Sequence, residues 1–411
     1  MATPTTTLVT RASQPARGPL ATLCLTQVVS WGVLYYAFPV ALPAITAETG
    51  WTRTNTMAAF SAALIAAAAS GILVGRRIDK HGPRAVMTLG SVLAALSMLG
   101  VALAPALGWF VAAWILAGIA QSMVLYAPAF TAITRWYGNG RARALLVLTL
   151  VGGLASTVFA PVTAALVEYA GWRHAYLILA GVLAVTTVPA HAIGLRAPWP
   201  TLEPAETRSG HEWRPVALSR PFVCLTIATS LGAFAMYAAT IHLVPMLTWR
   251  GVGATAAAWA LGLSGAGQLL GRLAYGPIAA RTAPAARASI ILATVGLAIA
   301  GVGLLSGPPV ALVVVAIVLG VGRGAYTLLQ STAISDRWGV AGFGILFGIL
   351  NAPATLAMAL APWAAAALEE ATGSYPATFV LLACVAGAGA VTALATSNRS
   401  PARRLRPTSL T

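Results

Sequence analysis

Cys24-Leu25-Thr26, followed by Ser30 and Gly32, returns far along the chain as Cys224-Leu225-Thr226, followed by Ser230 and Gly232. Gly118 and Arg135-Trp136 return as Gly320 and Arg337-Trp338, and Ala160-Pro161 with Glu168 returns as Ala361-Pro362 with Glu369. Each match is slight alone. A near-constant offset across three separate segments makes the chain two copies of one design.

The background of that repeat is apolar. Of the 411 residues, 58% are hydrophobic and 8% charged, and the mean hydropathy is +0.82. A soluble domain carries about 25% charged residues, so the outer surface of this chain must face lipid. Crossing a bilayer takes roughly 20 apolar residues in a helix. Charge-free runs at 18–47, 54–75, 85–134, 144–167, 175–195, 221–249, 251–271, 288–322, 338–368 and 371–398 supply them. Two of these runs are long enough for two spans each. Pro105 to Gly108 splits the first, and Gly307-Pro308-Pro309 splits the second, because Gly and Pro between apolar segments mark turns. The expectation is an all-α membrane protein of twelve transmembrane helices in two six-helix repeats.

Same-topology halves are parallel repeats related by an axis along the membrane normal, with a solute site between them near the midplane. The expected organisation is a disordered cytoplasmic N-terminus over 1–18, a six-helix half over 19–196 and a linker over 197–218. A second half covers 219–397 and a basic cytoplasmic tail 398–411. The linker carries Pro198, Pro200, Pro204 and Pro215 and no apolar periodicity. The first span is too long for a signal-peptide core and lacks a clean cleavage site, so it is expected to stay. Cys24, Cys224 and Cys384 fall in separate spans and form neither a metal spacing nor a disulfide framework.

A net charge of +16 could suggest nucleic-acid binding. Its distribution argues otherwise. With both termini in the cytoplasm and twelve spans between them, most of the 25 Lys and Arg fall on the cytoplasmic side, and only Arg53, Arg173 and Arg250 fall on the other. That is the positive-inside bias, and it implies a multi-pass protein of the cell inner (plasma) membrane with no nucleic-acid partner.

Between the second and third spans the chain reads Gly75-Arg76-Arg77-Ile78-Asp79-Lys80-His81-Gly82-Pro83-Arg84. This resembles the signature loop of the major facilitator superfamily, and the resemblance extends over essentially the whole chain. Gly75 and Gly82 permit close packing and a tight turn. Asp79, the only acid in the loop, can pair with Arg76, Arg77, Lys80 or Arg84, or with a helix N-terminus of the other half. The resemblance implies a cytoplasmic gate built on Gly75, Arg76, Asp79, Gly82 and Arg84; the plainer reading is a basic loop kept inside. Ser30-Trp31-Gly32 with Tyr35-Tyr36, Gly50-Trp51-Thr52-Arg53, and Gly271-Arg272 with Gly276 are similar to the monocarboxylate porter and oxalate–formate antiporter branch. That branch implies alternating-access transport of a small organic anion, by proton symport or anion exchange.

Arg323 lies near the middle of the tenth span, between Gly322 and Gly324, and its repeat counterpart is Gln121. Arg272 lies toward the cytoplasmic end of the eighth, where it could instead snorkel or bind backbone carbonyls. Ionisable residues within a span are expensive and mark function by default. The nine acids all map to loops or helix ends. A buried charge without a partner is strongly disfavoured, so the missing partner is expected to be an anionic substrate. Arginine suits a carboxylate because its fork engages both oxygens. In the related carriers an arginine four residues before the glycine of the second-half loop binds substrate carboxylate, and Arg272 precedes Gly276 by that spacing. Oxalate carriers add a lysine in the eleventh span. Gly344 to Asn351 has none, which favours a monocarboxylate. Animal monocarboxylate porters place an Asp four residues before the arginine; here that position is Gln268.

Tyr35, Tyr36, Tyr126, Tyr237 and Tyr326 lie in spans that line the cavity in this superfamily, and each is equally readable as packing. Asn351 could bind substrate or a neighbouring helix. His242, with an ordinary pKa of about 6.5, could relay a proton or serve as a structural hydrogen bonder. No catalytic constellation, cofactor motif or phosphate-binding loop is present, so neither an enzyme nor direct ATP coupling is expected, and the protein is expected to be a monomer. The rival readings are a drug or metabolite efflux transporter of the same fold and a non-transporting membrane sensor. Exporters of cations usually need an embedded carboxylate. A sensor needs a folded soluble domain.

Overall fold

The computed structural model describes residues 18–137, 140–199, 213–338 and 343–396. The N-terminal segment 1–17, the bulk of the expected linker and the basic tail lie outside the described residues.

The helices are α1 (Gly18–Thr49), α2 (Arg53–His81), α3 (Pro83–Ala102) and α4 (Leu107–Tyr137). One apolar stretch, Arg143–Gly194, leaves helical geometry at Gly171, whose φ of 77° only glycine adopts easily, and so holds both α5 (143–170) and α6 (172–194). The second set is α7 (Arg220–Ile241, continued after a turn at His242 by Leu243–Trp249), α8 (Ala254–Arg281), α9 (Pro284–Leu304), α10 (Pro309–Thr332), α11 (Phe343–Thr372) and α12 (Tyr375–Leu394). Among the described residues, ten helical stretches are long and apolar enough to cross a membrane. The division at Gly171 and the equally long but less apolar α8 bring the helices to twelve.

The repeat is visible in the packing. Within the first set α2 lies against α4, and in the second α8 lies against α10. A Cβ on Gly118 of α4 would run into the Ala63 carbonyl of α2. A Cβ on Gly320 of α10 would run into the Ser264 carbonyl of α8. Small residues let membrane helices approach to backbone contact. The α8–α10 seam extends this on both sides. Gly267 and Gly271 press on the Ile317 and Val321 carbonyls, and Gly324 presses on that of Gln268.

The two sets meet along α2 with α11 and α5 with α8. Polar bridges between them cluster at one end and at mid-depth. Arg53 pairs with Glu369 at 3.4 Å, the Thr54 N–H donates to Glu370 at 3.0 Å, and Thr255 donates to Glu168 at 2.8 Å. Further in, the Trp363 N–H donates to Ser61 at 3.1 Å, and Thr157 donates to the Gly262 carbonyl at 2.8 Å. At the opposite, arginine-rich end the ion pairs stay within one set: Asp79 with Arg135 at 2.6 Å, and Asp336 with Arg287. Gly75 and Gly276, both near that end, have open space where a side chain would stand. These polar bridges between the sets thus lie at the Arg53 end and at mid-depth, and none of them joins the sets at the basic end among the described residues.

Candidate functional site

Where the two sets meet at mid-depth lies a cavity of about 200 Å³, lined by Trp31 and Tyr36 of α1, Tyr126 of α4, Gly152 and Gly153 of α5, Met236 and Tyr237 of α7, Gln268 and Arg272 of α8, and Arg323, Tyr326, Thr327 and Gln330 of α10. Drug-sized ligand pockets run to about 300–1,000 Å³, so this cavity suits a small solute.

Local sequence explains how the wall forms. Pro128 has no N–H, so the Val124 carbonyl one turn earlier loses its helical donor. The Gln27 side chain fills that vacancy, donating from Nε2 to the Val124 oxygen at 2.7 Å, and its Oε1 accepts from Trp31 Nε1 at 3.1 Å. The break at Leu125 starts a new helical segment at Tyr126. In α1, residues Gly32–Tyr36 wind as a π-helix, a feature that recurs at functional sites. Gly152 and Gly153 leave room for two cavity groups. A Cβ on Gly152 would stand 2.6 Å from the Tyr126 hydroxyl, and one on Gly153 would stand 2.9 Å from Arg272 Nη1.

The glycine seam between α8 and α10 brings Arg272 and Arg323 onto one cavity, and both are buried. Arg323 donates from Nη2 to the Tyr36 hydroxyl at 3.0 Å. Its guanidinium carbon lies 5.9 Å from the Tyr36 ring centre and 5.8 Å from that of Tyr237, a cation between two π faces. Arg272 donates from Nη1 to the Thr149 carbonyl. Neither arginine meets an acid among the described residues. Each described acid is engaged elsewhere: Glu48 with Arg173, Asp79 with Arg135, Asp336 with Arg287, Glu369 with Arg53, Glu168 with Thr255 and Glu370 with the Thr54 N–H. Arg323 Nη1, Arg272 Nε and Gln268 Nε2 are buried donors with no acceptor among the described residues.

The structure thus gathers Tyr36, Tyr126, Tyr237, Gln268, Arg272, Arg323 and Tyr326 on one wall and leaves other candidates off it. Gln121 donates to the Leu34 carbonyl at 3.0 Å, inside the π-wound turn. Tyr35, next to Tyr36 in sequence, points into an aromatic cluster with Trp31, Phe60 and Tyr237. Asn351 bonds Gln330 and the Phe347 carbonyl, so it stands behind a lining residue. His242 lies toward the Arg53 end and meets the Pro362 carbonyl at 2.9 Å. Thr327 and Gln330 were not expected; they follow Arg323 at i+4 and i+7, the spacing of one helix face. In the signature loop, Asp79 pairs with none of the loop cations. Arg135 of α4 holds its carboxylate and its carbonyl, and Trp199 donates to the same carbonyl at 3.2 Å. Arg84 donates to the Ala192 carbonyl at 2.8 Å, and Gly82 turns at φ 81° beside Trp199.

Two six-helix sets packed around a central cavity have the build of a membrane transporter. The chain belongs to the Major Facilitator Superfamily, whose family model matches residues 23–279. It is similar to "Monocarboxylate transporter 13" of Rattus norvegicus, 28% identical over 382 residues that cover 89% of this chain and 84% of the relative. It is also similar to "Monocarboxylate transporter 11" of Homo sapiens, 28% identical over 74% of this chain and 66% of the relative. Among solved structures, a bacterial homologue of the human lysosomal transporter Spinster, in an inward-facing and occupied conformation, shares the fold. Its TM-score is 0.65 at 17% identity, covering 92% of each chain.

Proposed function

We propose that the protein is a secondary transporter of a small organic anion, a monocarboxylate first of all. The observation that carries this reading is the set of orphan donors: two guanidiniums and a carboxamide N–H lining one small cavity, with no acid among the described residues to answer them. Burial of an unpartnered charge is costly, and a carboxylate supplies both the charge and the acceptors. The similarity to transporters named for monocarboxylates agrees with that chemistry.

In this reading Arg323 and Arg272 hold the carboxylate, and Gln268 offers a neutral donor beside it. Tyr36, Tyr126, Tyr237 and Tyr326 surround the rest of the molecule. Tyr35, Gln121 and Asn351 support the wall without touching the solute, and His242 takes no part in proton relay. The basic end is the cytoplasmic one, as the positive-inside bias implies, and the conformation then faces inward. The anion neutralises the arginines and lets the halves, 19–196 and 219–397, rock about it, while the loop around Asp79 closes the cytoplasmic side. No carboxylate or histidine lines the described cavity. Exchange of one anion for another therefore fits better than symport through a protonatable side chain.

The test is uptake into proteoliposomes across a panel of mono- and dicarboxylates, using wild type, Arg323→Gln and Arg272→Gln. Saturable uptake of a monocarboxylate, lost in both variants, is the expected result. Transport of a lipophilic cation with no effect of any anion would favour the efflux reading instead.

A further inference from the structure

A second recess, of about 800 Å³, lies away from the central cavity at the basic end, between α2 and α3. Its walls include Leu73, Arg76, Arg77, Lys80 and His81 of α2 and Val86 and Leu89 of α3. The three cations, Arg76, Arg77 and Lys80, are exposed, and their side chains make no hydrogen bond or ion pair among the described residues. The one acid of the loop, Asp79, is held by Arg135 and is not on the wall. Among the described residues, none on the wall of the recess offsets the positive charge.

The apolar part of the recess is just as specific. Leu73 is 65% exposed and Leu89 is 62% exposed, as leucines turned toward lipid are. Leu89 begins a run of exposed side chains on one face of α3 that continues through Val92, Leu96 and Leu99. These recur at the three- and four-residue spacing of one helix face. From Leu89 to Leu99 the helix rises about 15 Å at 1.5 Å per residue. That is half of a hydrocarbon core of about 30 Å, or the depth of one leaflet.

We propose that this recess binds the headgroup of an anionic phospholipid from the leaflet at the basic end. Its phosphate meets Arg76, Arg77 and Lys80, and one acyl chain lies along Leu89, Val92 and Leu96. The fit is amphiphilic: a cationic rim, an apolar track of leaflet depth, and a wall that opens sideways to the bilayer. Basic pockets between membrane helices take anionic headgroups on this chemistry, with each Lys or Arg near the surface contributing roughly a fivefold preference. The proposal does not depend on what the central cavity carries.

The test is native mass spectrometry of the full chain in detergent, titrated with phosphatidylglycerol or phosphatidylcholine. Wild type is expected to retain phosphatidylglycerol over phosphatidylcholine. Arg76→Gln/Arg77→Gln/Lys80→Gln should weaken phosphatidylglycerol about a hundredfold, and each single variant about fivefold. The single variants keep the test decisive if the triple variant does not fold. Arg220→Gln/Arg281→Gln removes two exposed cations from the same end but outside the recess, and it should leave binding unchanged. Equal retention of both lipids by wild type overturns the proposal. So does an unchanged phosphatidylglycerol affinity in the loop variants, or an equal loss in the control.

Discussion

Replacing Arg323 by Gln separates a substrate-binding arginine from a structural one, because the two roles predict different effects on the empty protein. A carboxylate about 4 Å from the guanidinium gains roughly 4 kcal/mol at the effective dielectric constant of about 20 that describes such sites. The glutamine amide keeps one neutral hydrogen bond, of about 1 kcal/mol. The difference of about 3 kcal/mol corresponds to roughly a hundredfold weaker binding. In the empty protein the substitution removes a buried cation whose Nη1 has no acceptor, which relieves a desolvation cost of several kcal/mol. Against this stand one lost bond to the Tyr36 hydroxyl, of about 1.5–3 kcal/mol, and the lost contacts with the Tyr36 and Tyr237 rings, of about 0.5–2 kcal/mol each, so the gain and the losses are of similar size. Thermal stability of the ligand-free variant should therefore stay level while affinity collapses. The assay pairs isothermal titration with a thermal melt of purified protein, using the best substrate from the uptake panel. An Arg323→Gln protein that binds within threefold of wild type would refute the site. A loss of about 3–5 kcal/mol in stability would show instead that the arginine belongs to a structural pair.

Four further outcomes follow from the geometry. Gly153→Ala should push the flexible Arg272 guanidinium from its place 2.9 Å away, raising the substrate Kd with little change in melting temperature; a protein that fails to fold would contradict this. Gly320→Ala, where the new Cβ meets the Ser264 backbone, should lower the yield of folded protein in size-exclusion profiles, and Gly118→Ala should do the same through Ala63. Glu369→Gln removes the ion pair with Arg53, a partly exposed pair that holds about 1 kcal/mol at most. Thiol labelling of a cysteine introduced at Ala164 should then speed up severalfold as the Arg53 end opens more often. Substrate affinity should be flat between about pH 6 and 8, since carboxylic acids with a pKa near 4 stay ionised there and no carboxylate or histidine lines the described cavity. A tenfold change in Kd per pH unit would point to a protonatable partner.

The twelve helices were legible because hydropathy is a strong signal and the repeat sets their arrangement. Arg272 and Arg323 were legible for a related reason: a lone charge stands out in an apolar span. What the sequence hid was direction. Gln121 occupies the slot equivalent to Arg323, yet it turns to the Leu34 carbonyl, and nothing in the repeat reports that α1 is π-wound there. Tyr35 and Tyr36 are adjacent, so the winding of α1 turns them to different sides, and only Tyr36 reaches the cavity wall. Helical spacing would have found Thr327 and Gln330 from Arg323. The Gly152-Gly153 pair was visible, but its use as clearance for Tyr126 and Arg272 needs the neighbouring helices in place.

The cavity is divided unevenly between the two repeats. Both guanidiniums come from α8 and α10, while α1 and α4 contribute an indole and two phenols. If the halves swing about the solute, the cargo stays tethered to the second half, and the first half slides across it as an uncharged cover. The bonds from Arg323 to Tyr36 and from Arg272 to Thr149 are then among those broken and remade in each stroke. The charged grip itself never has to let go for the gate to change sides, so the solute should be held with similar strength whichever face of the membrane it is reached from.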